Sequence, residues 1–369
     1  MNHNRPKLIL RGFNALALLM IGLFFVHCTT QDIDTLPPHQ ADNDFDEVDD
    51  LPDLDDPDPD GVDVEIGDID NSEIIDTILE SIQNAGSEEE LAGLLSKLFE
   101  KMGNVPDASG PLDPEIQAFL DGLNAEIAAK IIKGELEVSD KLKDFAAKAG
   151  SQSSFAELLP QAVFPKLNGV TLRTLSDLNH SEAKQRLKDT TVKQTVTAAN
   201  QRTAHWGESC EEAAQNAFAI RVGELDLQKE DQLNTIELNY QRRLSEVEVT
   251  YEFRLNQQQQ MYDFQIDYLI LNVSSVLQAI SAINNPELKN NLLLFAAVYT
   301  IQAAQLVQEW NNVSVGTIEE AYEKELDIIE NHRDAMIENV ETAYNKAVAY
   351  AEEVLEKALE KCHNQGSGS

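Results

Sequence analysis

Residues 232–270 read QLNTIELNYQRRLSEVEVTYEFRLNQQQQMYDFQIDYLI, and the spacing of their apolar side chains decides the fold. Apolar positions advance by 4, 4 and 3, a repeat of eleven. One row runs through Val222, Leu233, Leu244, Leu255, Ile266 and Leu277. A second runs through Leu225, Ile236, Val247, Leu269 and Ile280, with Gln258 as its exception, and a third holds Tyr240, Tyr251, Tyr262 and Val273. Eleven residues in three turns is about 3.67 per turn, close to an undistorted α-helix, so the arm is expected to be nearly straight. Three adjacent rows form a broad stripe that requires partner helices. Ser209-Cys210-Glu211-Glu212 is a capping box, and no helix breaker follows before Asn284-Asn285-Pro286. One unbroken helix of about 110 Å is therefore expected.

The chain beyond Pro286 repeats the period. Ile318, Ile329, Val340, Ala351 and Cys362 form one row, and Leu326, Ile337, Val348 and Leu359 another. Thr317-Ile318-Glu319-Glu320 reads as a cap, which predicts an interruption over Asn311–Gly316, level with Gln257–Gln260 of the first arm. The turn is expected near residues 284–290. Cys210 lies 76 residues before Pro286 and Cys362 lies 76 after it. Antiparallel arms of equal rise bring these two cysteines side by side, so a disulfide between Cys210 and Cys362 is expected.

Charge disappears toward the turn. Tyr268–Pro286 and Asn290–Gln308 are each 19 residues without a charged side chain. As helices both approach the thickness of a bilayer core. The layout resembles the apolar hairpin of α-helical pore-forming toxins, which implies membrane insertion of 268–308 as the alternative function. Asn272, Ser274, Ser275, Gln278, Ser281, Gln302 and Gln305 favour packing of these segments on each other and on the 71–205 helices, or against a protein partner, instead. Tyr268, Leu271, Leu294, Phe295 and Tyr299 are the candidate contact residues of this tip.

At the other end, Arg5, Lys7 and Arg11 precede an uncharged apolar run, Phe13–Val26, too short for a comfortable transmembrane helix. The run ends at His27-Cys28. This resembles a bacterial lipoprotein signal, which implies removal of residues 1–27 and lipidation of Cys28. Asp32–Asp70 then holds 17 acidic residues and no Lys or Arg. Such a stretch repels itself and buries little, so residues 28–70 are expected to be a disordered acidic tether. An acidic run after the lipidated cysteine also resembles the surface-export signal of Bacteroidota lipoproteins. By that resemblance Asp34-Thr35-Leu36, Asp76-Thr77-Ile78 and Asp189-Thr190-Thr191 match a short O-glycosylation pattern, with Thr35 the candidate. Within the tether, Asp56, Asp58, Asp60 and Gly61 open like a calcium loop, but the twelfth position, where a bidentate Glu belongs, is Gly67. A solvated linker is the expectation there.

Residues 71–205 carry short helical signals and almost no strand signals. Ser87-Glu88-Glu89-Glu90 is a capping box ahead of Leu91, Leu94, Leu95 and Leu98. Asp113-Pro114 opens a helix carrying Ile116, Phe119, Leu120, Leu123, Ile127 and Ile131 on one side. Ser139 caps a third, and 154–164 holds a further short turn.

A chain of 369 residues with 65 acidic against 28 basic residues, a formal charge of −37, lacks the clustered Lys and Arg that phosphate binding needs. A nucleic-acid partner is excluded. His-Glu-x-x-His, Cys-x-x-Cys, glycine-rich phosphate loops and G-x-S-x-G are all missing, and His180, His205, His332 and His363 are scattered. No enzyme activity, cofactor or metal is expected. The fold class is all-α: a small helical domain over 71–205, a long antiparallel helical hairpin over 206–363, and a disordered tail over 364–369. The expected role is that of an outer-membrane, surface-exposed lipoprotein. It would serve as a structural spacer or interaction subunit of an envelope assembly, with an unidentified protein partner. The wide stripe can be satisfied within one chain or between copies, so a homo-oligomer is also an expectation.

Overall fold

The computed structural model describes residues 44–71, 73–84, 87–102, 112–174 and 210–365. The signal peptide, Cys28, Thr35, the pattern at 189–191, His180, His205 and residues 366–369 lie outside them. Among the described residues the chain forms two compact units. One joins 44–48, 210–221 and 351–365; the other joins 49–174 and 222–350.

The protein is all-α, built around two long helices. Among the described residues the short helices are α1 Glu73–Asn84, α2 Glu88–Met102, α3 Pro114–Gly122, α4 Ala125–Ile132 and α5 Asp140–Gly150. A single turn, α6 Ser153–Ala156, follows, and then the long pair, α7 Cys210–Ser281 and α8 Pro286–Gln365. Caps start the short helices where the sequence signals them. The Glu90 amide donates to Ser87, the Glu115 amide to Asp113, and the Leu142 amide to Ser139. The single helix expected after Asp113 is two. Asn124 accepts the amides of Glu126 and Ile127 through its side chain and opens α4, so the run through Ile131 is cut after Gly122.

In the larger unit α7 and α8 pair antiparallel in the register expected from equal rise. Lys229, Tyr240 and Tyr251, eleven residues apart, lie against Tyr344, Arg333 and Tyr322, also eleven apart. Asn285 starts α8 by accepting the amides of Glu287 and Leu288. The interruption expected over Asn311–Gly316 does not occur, since α8 is continuous through it. Val313, Ser314, Thr317 and Ile318 are all buried, and the Thr317 hydroxyl donates to the Val313 carbonyl at 2.7 Å, so packing overrides the weak helix formers. The expected level was right: Gln258 donates to Asn311 across the pair at 3.1 Å.

Among the described residues five strands of two or three residues accompany the helices: β1 Val64–Glu65, β2 Asp68–Asp70, β3 Gln161–Val163, β4 Lys166–Leu167 and β5 Val170–Thr171. β1, β4 and β5 form one antiparallel sheet, and β2 with β3 another. Asn168 and Gly169, both at positive φ, make the two-residue turn between β4 and β5. Gly67, between β1 and β2, passes so close to the Val163 carbonyl and Trp310 that no Cβ fits. Its glycine is a packing requirement.

The short helices do not close a core of their own. Ile75, Leu79, Leu95, Ile132 and Phe155 share one apolar core with Leu269, Val273, Phe295, Val298 and Trp310 of the long pair. The smaller unit holds a modest contact, Ala214 with Ala358 flanked by Leu355 and Leu359. It also holds the Cys210–Cys362 disulfide, whose Cα atoms are 5.7 Å apart.

Candidate functional site

The residues expected to be a free tether are, from Asp44 onward, bonded to the helices. The reason is a row that apolar periodicity does not register. Arg221, Gln232, Arg243, Arg254 and Gln265 stand eleven residues apart on α7. Arg221 donates to the Val48 carbonyl within the smaller unit. In the larger unit Gln232 donates to the Pro52 carbonyl, Arg243 to the Asp56 and Pro57 carbonyls, Arg254 to the Val62 carbonyl, and Gln265 to the Asp68 carboxylate. One hendecad of helix rises about 16.5 Å, and five extended residues span about the same distance. A strand running beside α7 therefore meets the row about every fifth residue, and it does so at Pro52, Pro57, Val62 and Asp68. Pro52, Pro57 and Pro59 suit this path, because they hold an extended backbone and have no N–H to satisfy. Intervening apolar residues dock inward. Leu54 packs on Ile236, Met336 and Val340, and Val62 joins Leu167, Leu172 and Val313.

We call residues 49–63 the strap. Its firmest hold is at Asp56, whose side chain is 4% exposed. Arg243, itself 5% exposed, meets Asp56 at 2.9 Å and donates through Nε to Asp58 at 2.9 Å. Asn239 donates to the other Asp56 oxygen at 2.8 Å, and His332 of α8 lies 2.7 Å from Asp56 Oδ1. Arg242 donates to Asp58 at 2.6 Å and to both oxygens of Glu246. Further along, Arg254 makes a two-pronged pair with Glu325, which accepts the Val62 amide. Burial alone would raise the Asp56 pKa. Hydrogen bonds from Asn239, His332 and Arg243, with the charge of Arg243, outweigh it and hold the carboxyl below its ordinary value. Arg242 and then Arg243 hold Asp58 low as well.

Of the weak calcium candidate Asp56, Asp58 and Asp60, the first two are engaged by arginines. Asp56 and Asp58 face guanidinium groups, so the positive charge between them comes from Arg243 and Arg242. Among the described residues no group of three or more His, Cys, Asp or Glu is arranged to hold a metal. His332, expected to be a scattered surface residue, is instead a partner of the strap. His363 lies 3.5 Å from Glu211 at the exposed base of the pair.

Because the folded pKa of Asp56 lies below its ordinary value of 3.8, its ionisation stabilises the seated strap above that pH. The contribution is lost as pH falls below 3.8 through the lower folded value. Pepsin cleavage within the strap is expected to stay low at pH 5 and rise steeply below 3.8. In Asp56→Asn that step should disappear. A strap equally protected down to pH 2 would show that Asp56 does not hold it.

The expected contact tip is dispersed. Leu294, Phe295 and Tyr299 are 2%, 1% and 2% exposed and belong to the core beneath the short helices, so they cannot meet a partner. Tyr299 donates to Asn71 at 2.6 Å, and Tyr268, half-buried, donates to Asp76 at 3.1 Å. Burial raises the Tyr299 pKa far above its ordinary value. Leu271 alone of the five is exposed, at 56%. Thr77 lies inside α1, its hydroxyl donating to the Glu73 carbonyl. Among the described residues α8 holds a stretch long and apolar enough to cross a membrane, and 67% of that stretch is buried inside the protein. No family model, curated protein or solved structure matches this chain.

Proposed function

We propose that the chain is an exported, lipid-anchored structural protein of the outer membrane, displayed at the cell surface. It works by holding and docking rather than by catalysis, as a spacer or interaction subunit of an envelope assembly. The observation that carries this reading is the pairing of cysteines. Of three cysteines, Cys210 and Cys362 are joined, which suits an oxidising compartment. The third, Cys28, follows a charged and then apolar leader and is left to carry the lipid. The strap supports the structural role. It turns residues 49–63 of the acidic segment into a brace on the helical pair.

Metabolic labelling with an alkyne fatty acid tests the anchor. The full chain is expected to take up label and fractionate with membranes, and Cys28→Ser to lose both. An unlabelled parent chain would overturn the reading. Dye-loaded liposomes of anionic and zwitterionic lipid address the perforating alternative. No release is expected, because insertion of 268–308 would first strip the short helices from their shared core. Release would replace the structural role with a membrane-active one.

A further inference from the structure

One face of α7 is used by neither α8 nor the strap. Leu227, Leu238, Val249, Phe253, Phe264 and Leu271 are 68%, 71%, 63%, 66%, 61% and 56% exposed. Isolated exposed apolar residues are ordinary; these are not isolated. Leu227, Leu238 and Val249 are spaced by eleven, and the same step continued twice arrives at Leu271. Phe253 and Phe264 are likewise eleven apart. At 100° per residue all six fall within a sector of about 100°, the width of a helix-packing stripe. The period that marks the buried rows thus marks an outward row too.

We propose that this face pairs two copies of the chain, with α7 antiparallel to α7 across a two-fold axis level with Tyr251. Three observations commit the face to a second copy. First, the pattern is symmetric about that level. Val249 and Phe253 lie two residues to either side of Tyr251, and Leu238 and Phe264 lie thirteen to either side. Reversal sets valine against phenylalanine at the centre and leucine against phenylalanine beyond it, as an isologous interface requires. Leu227 and Leu271 extend the rim.

Second, the charges agree with reversal and oppose the parallel alternative. In the antiparallel register Glu246 lies opposite Asn256, Asp267 opposite Thr235 and Asp231 opposite Leu271, while Arg242 and Asn239, which bond the strap, stand at the edge of the face. No like charges lie directly opposite one another. A parallel pair would set Glu246, Asp231, Asp263 and Asp267 each against itself, in a chain whose formal charge is already −37.

Third, the area suffices. Six side chains exposing roughly 100–150 Å² each give roughly 700 Å² per copy and about 1,400 Å² in all, within the range of specific stable interfaces. The inference stands whether or not Cys28 carries a lipid, so failure of one leaves the other to be judged separately.

The test is the mass of the full chain in non-ionic detergent, by sedimentation equilibrium with the detergent density-matched. At tens of micromolar the parent is expected at twice its monomer mass. Leu238→Glu combined with Phe264→Glu should raise the dimer Kd at least 100-fold. Helical content of the variant should not change, since both side chains are exposed, and its melting should fall only by the stabilisation that dimerisation gives the parent. Raising salt should strengthen the parent dimer by screening the net charge.

Spin labels report direction. With Cys28→Ser, a label at Glu252 near the axis should give an inter-copy distance under about 20 Å, and one at Asp267 about 50 Å. A monomeric parent, or a dimer untouched by the double substitution, would overturn the proposal. An Asp267 distance as short as that at Glu252 would overturn the antiparallel arrangement. Disruption by the double substitution together with the long Asp267 distance would support it.

Discussion

Arg243→Ala lowers the unfolding free energy of the larger unit by about 3–5 kcal/mol, the expected loss when one partner of a buried ion pair is removed. Arg243 is 5% exposed and bonds Asp56, Asp58 and two strap carbonyls at once. Its removal leaves the Asp56 carboxylate, 4% exposed, with Asn239 and His332 alone. It also leaves the Asp56 and Pro57 carbonyls without the donor that reaches them. The neighbouring Arg242→Ala is the control. Its side chain is 44% exposed and pairs with carboxylates at least as exposed, so a change within about 1 kcal/mol is expected. Urea midpoints followed by circular dichroism read the stability. Limited proteolysis reads the cause, because the strap should become cleavable in Arg243→Ala before the helices do. Equal effects of the two substitutions would show that the buried cluster does not hold the strap.

Asp56→Asn with Arg243→Met sharpens the argument. Removing both charges and keeping comparable bulk should recover much of the loss, since an unpaired buried charge costs more than a missing pair. What should not return is register. Arg243 bonds two successive carbonyls, which fixes the strap along α7 to a single residue. An apolar substitute would let Pro57 and its neighbours slide.

The long pair was legible because its signal repeats. Eleven-residue rows persist from Val222 to Ile280, and the tyrosines and cysteines agree with one antiparallel register. Errors at Gln258 or Gly316 change little in so long an average. The strap was not legible, because each half of its signal has an ordinary explanation alone. Aspartates in a row read as a solvated linker, and Arg or Gln every eleven residues reads as the wet side of a helix. Only the match between one hendecad and five extended residues joins them, and that match is a relation between distant segments. The tip failed for a related reason. An uncharged stretch announces burial, but whether beneath a partner, a bilayer or the chain's own short helices depends on contacts such as Phe155 with Phe295. Two signals were local and readable. Asn168-Gly169 between Leu167 and Val170 is the sequence of a two-residue hairpin, although its strands are too short for alternation to appear. Asn124 after Gly122 marks a stop and restart that an unbroken apolar side conceals.

Removing the disulfide is the second large perturbation, and its effect should be uneven. The bridge joins residues 152 apart, for which the chain-entropy estimate of stabilisation is about 5 kcal/mol. Its 5.7 Å Cα separation lies in the ordinary range, so the helices need not move to accommodate it. The base it closes has a small core besides: Phe45 lies against Phe218 with ring centroids 6.3 Å apart, Arg221 donates to the Val48 carbonyl and Lys361 pairs with Asp44. Ala214 and Ala358 bring two methyl groups together, with Leu355 and Leu359 beside them. The larger unit has Trp310, Phe155, Phe295 and many branched side chains fully buried. A reduced chain, or Cys210→Ser with Cys362→Ser, should therefore fray first at 210–221 and 351–362. Amide exchange there is expected to rise by orders of magnitude while Leu269 and Val298 stay protected. Global melting should fall by roughly 10 °C, less than the entropic figure implies, because part of the loss is spent in local opening before the core unfolds. Cys28→Ser should leave both readings unchanged, since Cys28 takes no part in the bridge. If the reduced chain melts and exchanges as the oxidised one does, the alanine contact and the Phe45–Phe218 packing hold the base unaided, and the cysteines are paired there without being needed for stability.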